Sequence, residues 1–186
     1  MKIDKKKRDS TTARRTIHAF FICFSKLLQE EPFEKISVSD ICNEAHIPRA
    51  TFYNYFNDKE DLLASYCSSF LDTMSMKPPA KETNIEEYAR YAMRTLLMNL
   101  SRDQEVHRRI YQKNEQGKFL QELKHCMHSK LKEYFDSTDQ HILDMPMDLE
   151  IDLLSNLFIT LSEWWLFNSD TYDCEEFVDK FCQLIR

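Results

Sequence analysis

Between Ser37 and Lys59 the chain reads SVSDICNEAHIPRATFYNYFNDK, a stretch that admits little besides two short helices joined by a tight connector, with a third helix starting behind them. Val38, Ile41, Cys42 and Ala45 recur at spacings of three and four, which gives one apolar helical face. Ser37 can cap that helix, and Asp40 puts a carboxylate at the positive end of its dipole. His46-Ile47-Pro48 then forms a sharp connector, because Pro48 disfavours the α conformation at Ile47. In the second helix Phe52 and Phe56 are four apart and point the same way, inward, leaving Arg49, Ala50, Thr51, Tyr53 and Asn54 outside.

That outer set can read DNA. A helix-turn-helix lays the N-terminal part of its second helix in the major groove, where Arg bonds guanine, Asn bonds adenine and small side chains meet a thymine methyl. Thr51, Tyr53 and Tyr55 carry hydroxyls that can instead hold phosphates. Ser37 and Ser39 complete the candidate contact set. A helical hairpin with an ordinary polar face would show the same spacing.

The segment resembles the DNA-binding domain of TetR-family transcription regulators. Their pattern is a short helix ending in Ala-Gly-Val, a small polar turn, then Thr-hydrophobe-Tyr-x-His-Phe, two small or polar residues and a Lys. Here it runs Ala45, His46, Ile47, then Thr51-Phe52-Tyr53-Asn54-Tyr55-Phe56, with Lys59 in place. Three positions depart from the pattern. His46 stands where the family prefers Gly, at a site expected to need a positive φ. Pro48 replaces a Ser cap, losing a side-chain acceptor while keeping a φ suited to a helix start. Tyr55 replaces a frequent His. Asp58 is expected to cap the next helix, and Lys59, in its first turn, opposes the helix dipole. A phosphate contact would be a physical reason for that lysine, and the resemblance implies the same role.

The rest of the composition agrees with helices. One Gly and five Pro in 186 residues leave little for hairpins and tight turns, so an all-α chain of about nine helices is expected. The net charge of −6 would speak against nucleic acid, but residues 1–30 hold eight Lys or Arg against three acids while residues 61–186 hold 14 against 22. A basic head on an acidic body suits a protein that meets DNA at one end. The Lys5-Lys6-Lys7-Arg8 run reads as a solvated arm able to add phosphate contacts. No apolar run approaches a membrane span, and the start is charged where a signal peptide would turn apolar, so a cytoplasmic protein with no membrane partner is expected. Six scattered Cys without a CxxC read as reduced thiols, mostly in the core.

Ile17, Phe20, Phe21, Phe24, Leu27 and Leu28 predict a first helix from about Thr11 to Gln29, with Arg14 and Arg15 near its start able to reach the DNA backbone. Leu62, Leu63, Tyr66, Phe70 and Met74 predict a helix after Asp58 that joins head to body. The Pro pair in residues 75–84 marks a loop or boundary. Further helices are predicted near 85–100, 103–113, 116–136, 148–168 and 174–185. Two domains are expected: 1–58, a three-helix DNA-binding head with its arm, and 59–186, a helical effector-binding and dimerisation body.

In the body, Leu149, Leu153, Leu157, Leu161 and Trp164 descend one helical face with Leu154, Phe158 and Trp165 beside them, and Phe177, Val178, Phe181 and Ile185 follow in the last helix. In the family the final two helices pair with their copies as a four-helix bundle. The resemblance therefore implies a homodimer interface using Leu153, Leu157, Leu161, Trp164, Trp165, Phe177 and Phe181, although both Trp could instead fill a subunit core. Tyr88, Met93, Tyr111, Phe119 and Met127 are of the kind that line pockets between helices, and equally of the kind that fill cores. The family usually keeps a small-molecule effector pocket here. His125 and His128 share a helical face and are weak metal candidates, since neighbouring Cys126 points elsewhere. No cofactor is expected. No GxGxxG, P-loop, GxSxG or HExxH occurs, so the chain does not read as an enzyme. The expected function is a ligand-responsive repressor binding a palindromic DNA operator as a homodimer. A protein-binding adaptor or co-activator of the same fold and a zinc-responsive regulator are the alternatives.

Overall fold

The structure is a computed structural model that describes residues 10–72, 85–137 and 145–185. The described residues contain nine helices and no strand: α1 (Thr11–Glu30), α2 (Val38–Ala45), α3 (Arg49–Tyr55), α4 (Lys59–Asp72), α5 (Ile85–Arg102), α6 (Gln104–Asn114), α7 (Lys118–Phe135), α8 (Met147–Asn168) and α9 (Cys174–Leu184). The all-α expectation holds. The basic run Lys5–Arg8, Met74 and the Pro-containing 75–84 segment lie outside the described residues.

Two compact units divide the chain, one within Met1–Ser68 and Arg109–Leu123, the other within Ser69–Arg108 and Lys124–Arg186. In the first, α1 starts at Ser10, whose side chain accepts from the Ala13 amide at 3.2 Å. Its stripe buries Phe20, Phe24 and Leu28 completely. Phe20 meets Phe52 and Phe56 edge-on at 5.4 and 6.0 Å, and Phe24 meets Phe33 and Tyr66 at 6.1 and 5.5 Å. Each such Phe, taken fully out of water, contributes about 1.5–3 kcal/mol.

The first unit also contains the end of α6 and the start of α7, a contribution that sequence periodicity did not suggest. Asn114, only 2 % exposed, accepts from the Phe33 amide at 2.8 Å and donates to the carbonyls of Leu28 and Ile110 at 3.0 and 2.9 Å. The Lys118 amide donates to Glu34 Oε1 at 2.8 Å. Gly117 lies at φ +127°, a backbone conformation strained for any L side chain, and a Cβ there would also displace the same Glu34 oxygen, 2.5 Å away.

In the second unit α5 is packed by α8 and α9. Tyr88, Met93 and Leu97 of α5, Leu154 and Phe158 of α8, and Val178 and Phe181 of α9 are buried. Arg90 pairs with Asp179 and Arg94 with Glu175 along the rim; exposed pairs of this kind contribute about 0.2–1 kcal/mol each. Helix α8 has no basic residue in its last turn. Its Leu166 carbonyl is closed by Arg108 Nε at 2.7 Å and Gln104 Nε2 at 3.1 Å from α6. Cys42, Cys67, Cys126 and Cys182 are buried and no cysteine is disulfide-bonded. Among the described residues no helix is long and apolar enough to cross a membrane.

Candidate nucleic-acid interface

The α2–connector–α3 geometry follows from its residues one at a time. Ser37 and Asp40 form a reciprocal capping box: the Asp40 amide donates to Ser37 Oγ at 3.2 Å, and the Ser37 amide and hydroxyl donate to Asp40 Oδ2 at 2.9 and 2.6 Å. The Ser37 hydroxyl and then its amide hold the Asp40 carboxyl below its ordinary range, and the charge of Arg49 acts in the same direction. Helix α2 ends at His46, which takes φ 53° and ψ 35° and is the one non-glycine residue with positive φ among those described. The His46 amide bonds the Asn43 carbonyl at 3.1 Å and the Ile47 amide the Cys42 carbonyl at 3.0 Å, the paired closure of a Schellman turn. The positive φ expected at this position is therefore present, carried by histidine.

Pro48 caps α3 with φ −58° and no side-chain hydrogen bond. One short turn later Phe52 and Phe56 are both fully buried against Phe20. Because they fix the rotation of α3, Arg49, Ala50, Tyr53 and Asn54 face solvent, Tyr53 at 44 % exposure, with Thr51 and Tyr55 half-buried. Ser39 is half-buried at the start of α2, and Ser37 is exposed with its hydroxyl committed to the cap. Arg14 and Arg15 are exposed at the start of α1.

Lys59 is engaged by the backbone of its own unit. Its ammonium is not turned outward to a phosphate: it donates to the carbonyls of Phe33, Glu34 and Ile36 at 3.0, 3.0 and 2.8 Å and lies 4.5 Å from the centre of the Phe33 ring. Three protons meet three acceptors, which occupies every donor the group has. Asp58 does cap α4 as expected, accepting from the Asp61 amide at 2.7 Å.

The interface set expected in the other unit divides in two. Leu153 and Trp164 are 46 % and 43 % exposed, beside exposed Leu149 and Phe167, with Leu157 and Leu161 half-buried between them. Trp165, Phe177 and Phe181 are corrected to the subunit's own core, at 4, 6 and 1 % exposure. Adjacent helical residues diverge by about 100°, so Trp164 and Trp165 cannot share a face. Trp164 stacks on Phe177 with ring centres 5.6 Å apart and planes 4° from parallel.

The expected pocket residues are divided between the two units. Tyr111 and Phe119 belong to the first unit, Tyr88, Met93 and Met127 to the second. Met93 and Met127 are fully buried. Tyr88 stacks on Tyr134 at 3.7 Å and lines, with Leu131, Phe135, Leu154 and Phe158, a cavity of about 10 Å³, room for about one water. The Tyr88 hydroxyl is buried without a hydrogen-bond partner, and burial pushes its pKa upward. His125 is exposed, and His128 Nε2 lies 3.3 Å from Asp152 Oδ1. Among the described residues no three His, Cys, Asp or Glu assemble as a metal site.

Residues 25–66 match the family described as bacterial regulatory proteins, tetR family, and residues 89–186, over half the chain, match the transcriptional regulator C-terminal region. The chain is 51 % identical over 41 residues to the dhaKLM operon transcriptional activator DhaS of Lactococcus lactis, a match covering 22 % of each chain. It is 31 % identical over 109 residues to the uncharacterized HTH-type transcriptional regulator YxbF of Bacillus subtilis, covering 56 % of this chain and 28 % of that one. The matches thus span about a quarter of the length of these curated relatives. Among solved structures, native NalD of Pseudomonas aeruginosa, the secondary repressor of the MexAB-OprM efflux pump, superposes with a TM-score of 0.60 at 16 % identity, over 92 % of this chain and 95 % of that one.

Proposed function

Since the chain belongs to the TetR family and is a DNA-binding transcriptional regulator of that fold, we propose that it binds a palindromic operator as a homodimer, with α3 in the major groove. The observation that carries this reading is the orientation of α3: buried Phe52 and Phe56 leave Arg49, Ala50, Tyr53 and Asn54 presented together to solvent. Arg49 and Asn54 are the candidates for base edges, Ala50 for a thymine methyl, and Thr51, Tyr53 and Tyr55 for phosphates. The exposed face of α8 supports the dimer, because Leu149, Leu153, Trp164 and Phe167 form an apolar strip that a second copy would cover. A two-fold pair would bring two copies of α3 to successive grooves about 34–36 Å apart.

We propose repression as the sign, relieved by an effector that binds unequally to two arrangements of the second unit. Activation is the second reading, supported by the 41-residue likeness to the activator DhaS. Selection of bound duplexes from a random pool tests the proposal, with Tyr53→Ala and Arg49→Ala in parallel. A palindrome enriched by the unmodified chain is expected. Tyr53→Ala should weaken binding to all sequences and Arg49→Ala should relax base preference at one position per half-site. Equal effects of both on enriched and random DNA would refute the residue assignments. In vitro transcription from a promoter carrying the palindrome then reads the sign.

A further inference from the structure

Besides the hold of Asn114 on the Phe33 amide and of the Lys118 amide on Glu34, the connector between α1 and α2 has its carbonyls gathered at one point. Within it the Lys35 amide bonds the Pro32 carbonyl at 3.0 Å and the Ile36 amide bonds the Phe33 carbonyl at 3.2 Å, a tight turn that buries the Phe33 and Ile36 side chains. The turn aims the carbonyls of Phe33, Glu34 and Ile36 at the Lys59 ammonium. A lysine in the first turn of a helix works against the dipole. Three charge-assisted hydrogen bonds and the face of the Phe33 ring offset that cost and account for the residue without any DNA.

We propose that Lys59 is a positioning residue for DNA recognition, clamping the start of α4 to the connector that delivers α2 and α3, and is not a contact to the phosphate backbone. The connector ends at Ser37, the cap of α2, and Ile36, whose carbonyl Lys59 holds, is its immediate neighbour. Fixing that carbonyl fixes where α2 begins, and through the His46 turn it fixes the placement of α3. An arginine could not substitute. Its guanidinium presents its donors in a flat fork, whereas the three carbonyls converge on a single compact ammonium.

The two roles separate on salt. A lysine that neutralises a phosphate contributes about 0.9 to the slope of log K against log salt, and its removal takes that amount away. A clamp changes affinity and leaves the slope alone. The proposal rests on the DNA-reading role of α3, so the test carries a second readout independent of DNA. The unmodified chain, Lys59→Met and Lys59→Arg are titrated against the enriched duplex across a salt series, and amide hydrogen exchange is followed in parallel. Both variants are expected to bind about tenfold more weakly, the effect of misplacing one base contact, with an unchanged slope and faster exchange over Ser37–Ala45 but not in α8. Lys59→Arg keeps the charge and the stem and decides the matter if Lys59→Met does not fold. A slope smaller by about 0.9 in Lys59→Met, or full binding by Lys59→Arg, would overturn the clamp. Failure of the unmodified chain to bind DNA would instead remove the role of α3, and the exchange data would still tell whether Lys59 holds the connector.

Discussion

Replacing Asn114 with Ala strips three buried hydrogen bonds from one side chain: the acceptor for the Phe33 amide and the donor for the carbonyls of Leu28 and Ile110. The Leu28 carbonyl is in the last turn of α1 and the Phe33 amide lies beyond that helix, so neither falls within a regular helical ladder. With Asn114 only 2 % exposed, solvent does not readily take over. Each group left unsatisfied costs about 1–3 kcal/mol, so the two together give a loss of about 2–6 kcal/mol, a large part of a typical domain's stability. Asn114→Asp keeps the acceptor but loses both donors and buries a charge, so it should not rescue. Native-state hydrogen exchange is the assay, because it reports separately on each region. Protection is expected to fall in α1–α4 and to persist in α8. A loss under about 0.5 kcal/mol, the range of ordinary surface substitutions, or an equal loss in α8, would refute the reasoning. A segment ending at Ser68 should show the same weakness, since it lacks Asn114.

Three further outcomes are expected. Ser37→Ala removes the α2 capping box and should cost about 1 kcal/mol near neutral pH. The Asp40 carboxyl, lowered by Ser37, gives stability that is complete above its unfolded pKa and lost as pH falls through the folded one, so urea midpoints on the acid side should depend less on pH in this variant. His107 is held below its ordinary pKa by burial, which the charge of Asp103 only partly opposes, and its ring lies 5.3 Å from that of Phe70. The unfolded chain then takes the proton more readily, so stability should fall as pH drops from about 7 to 5, and His107→Gln should flatten that fall in thermal midpoints. Leu153→Arg with Trp164→Glu puts charges on the exposed strip of α8. Sedimentation should show a dimer for the unmodified chain and a folded monomer for the variant, and two equal sedimentation profiles would remove the dimer assignment.

The sequence by itself determined the helices and which side of α3 is turned inward. Helical periodicity is a local property, written in spacings of three and four, and it placed the six helices for which it gave both ends within two residues of where they lie. The cap at Ser37, the stop at His46 and the inward pair Phe52 and Phe56 are likewise decided by residues within one or two turns. Tertiary structure decided what depends on partners distant along the chain. Asn114 reaches Phe33 across 81 positions and Lys59 reaches Glu34 across 25; no spacing rule connects such residues, so neither contact was legible. The same holds for Trp165, Phe177 and Phe181. Apolar character says that a side chain leaves water, and only the packing of α5, α8 and α9 says whether its own subunit or a second copy receives it.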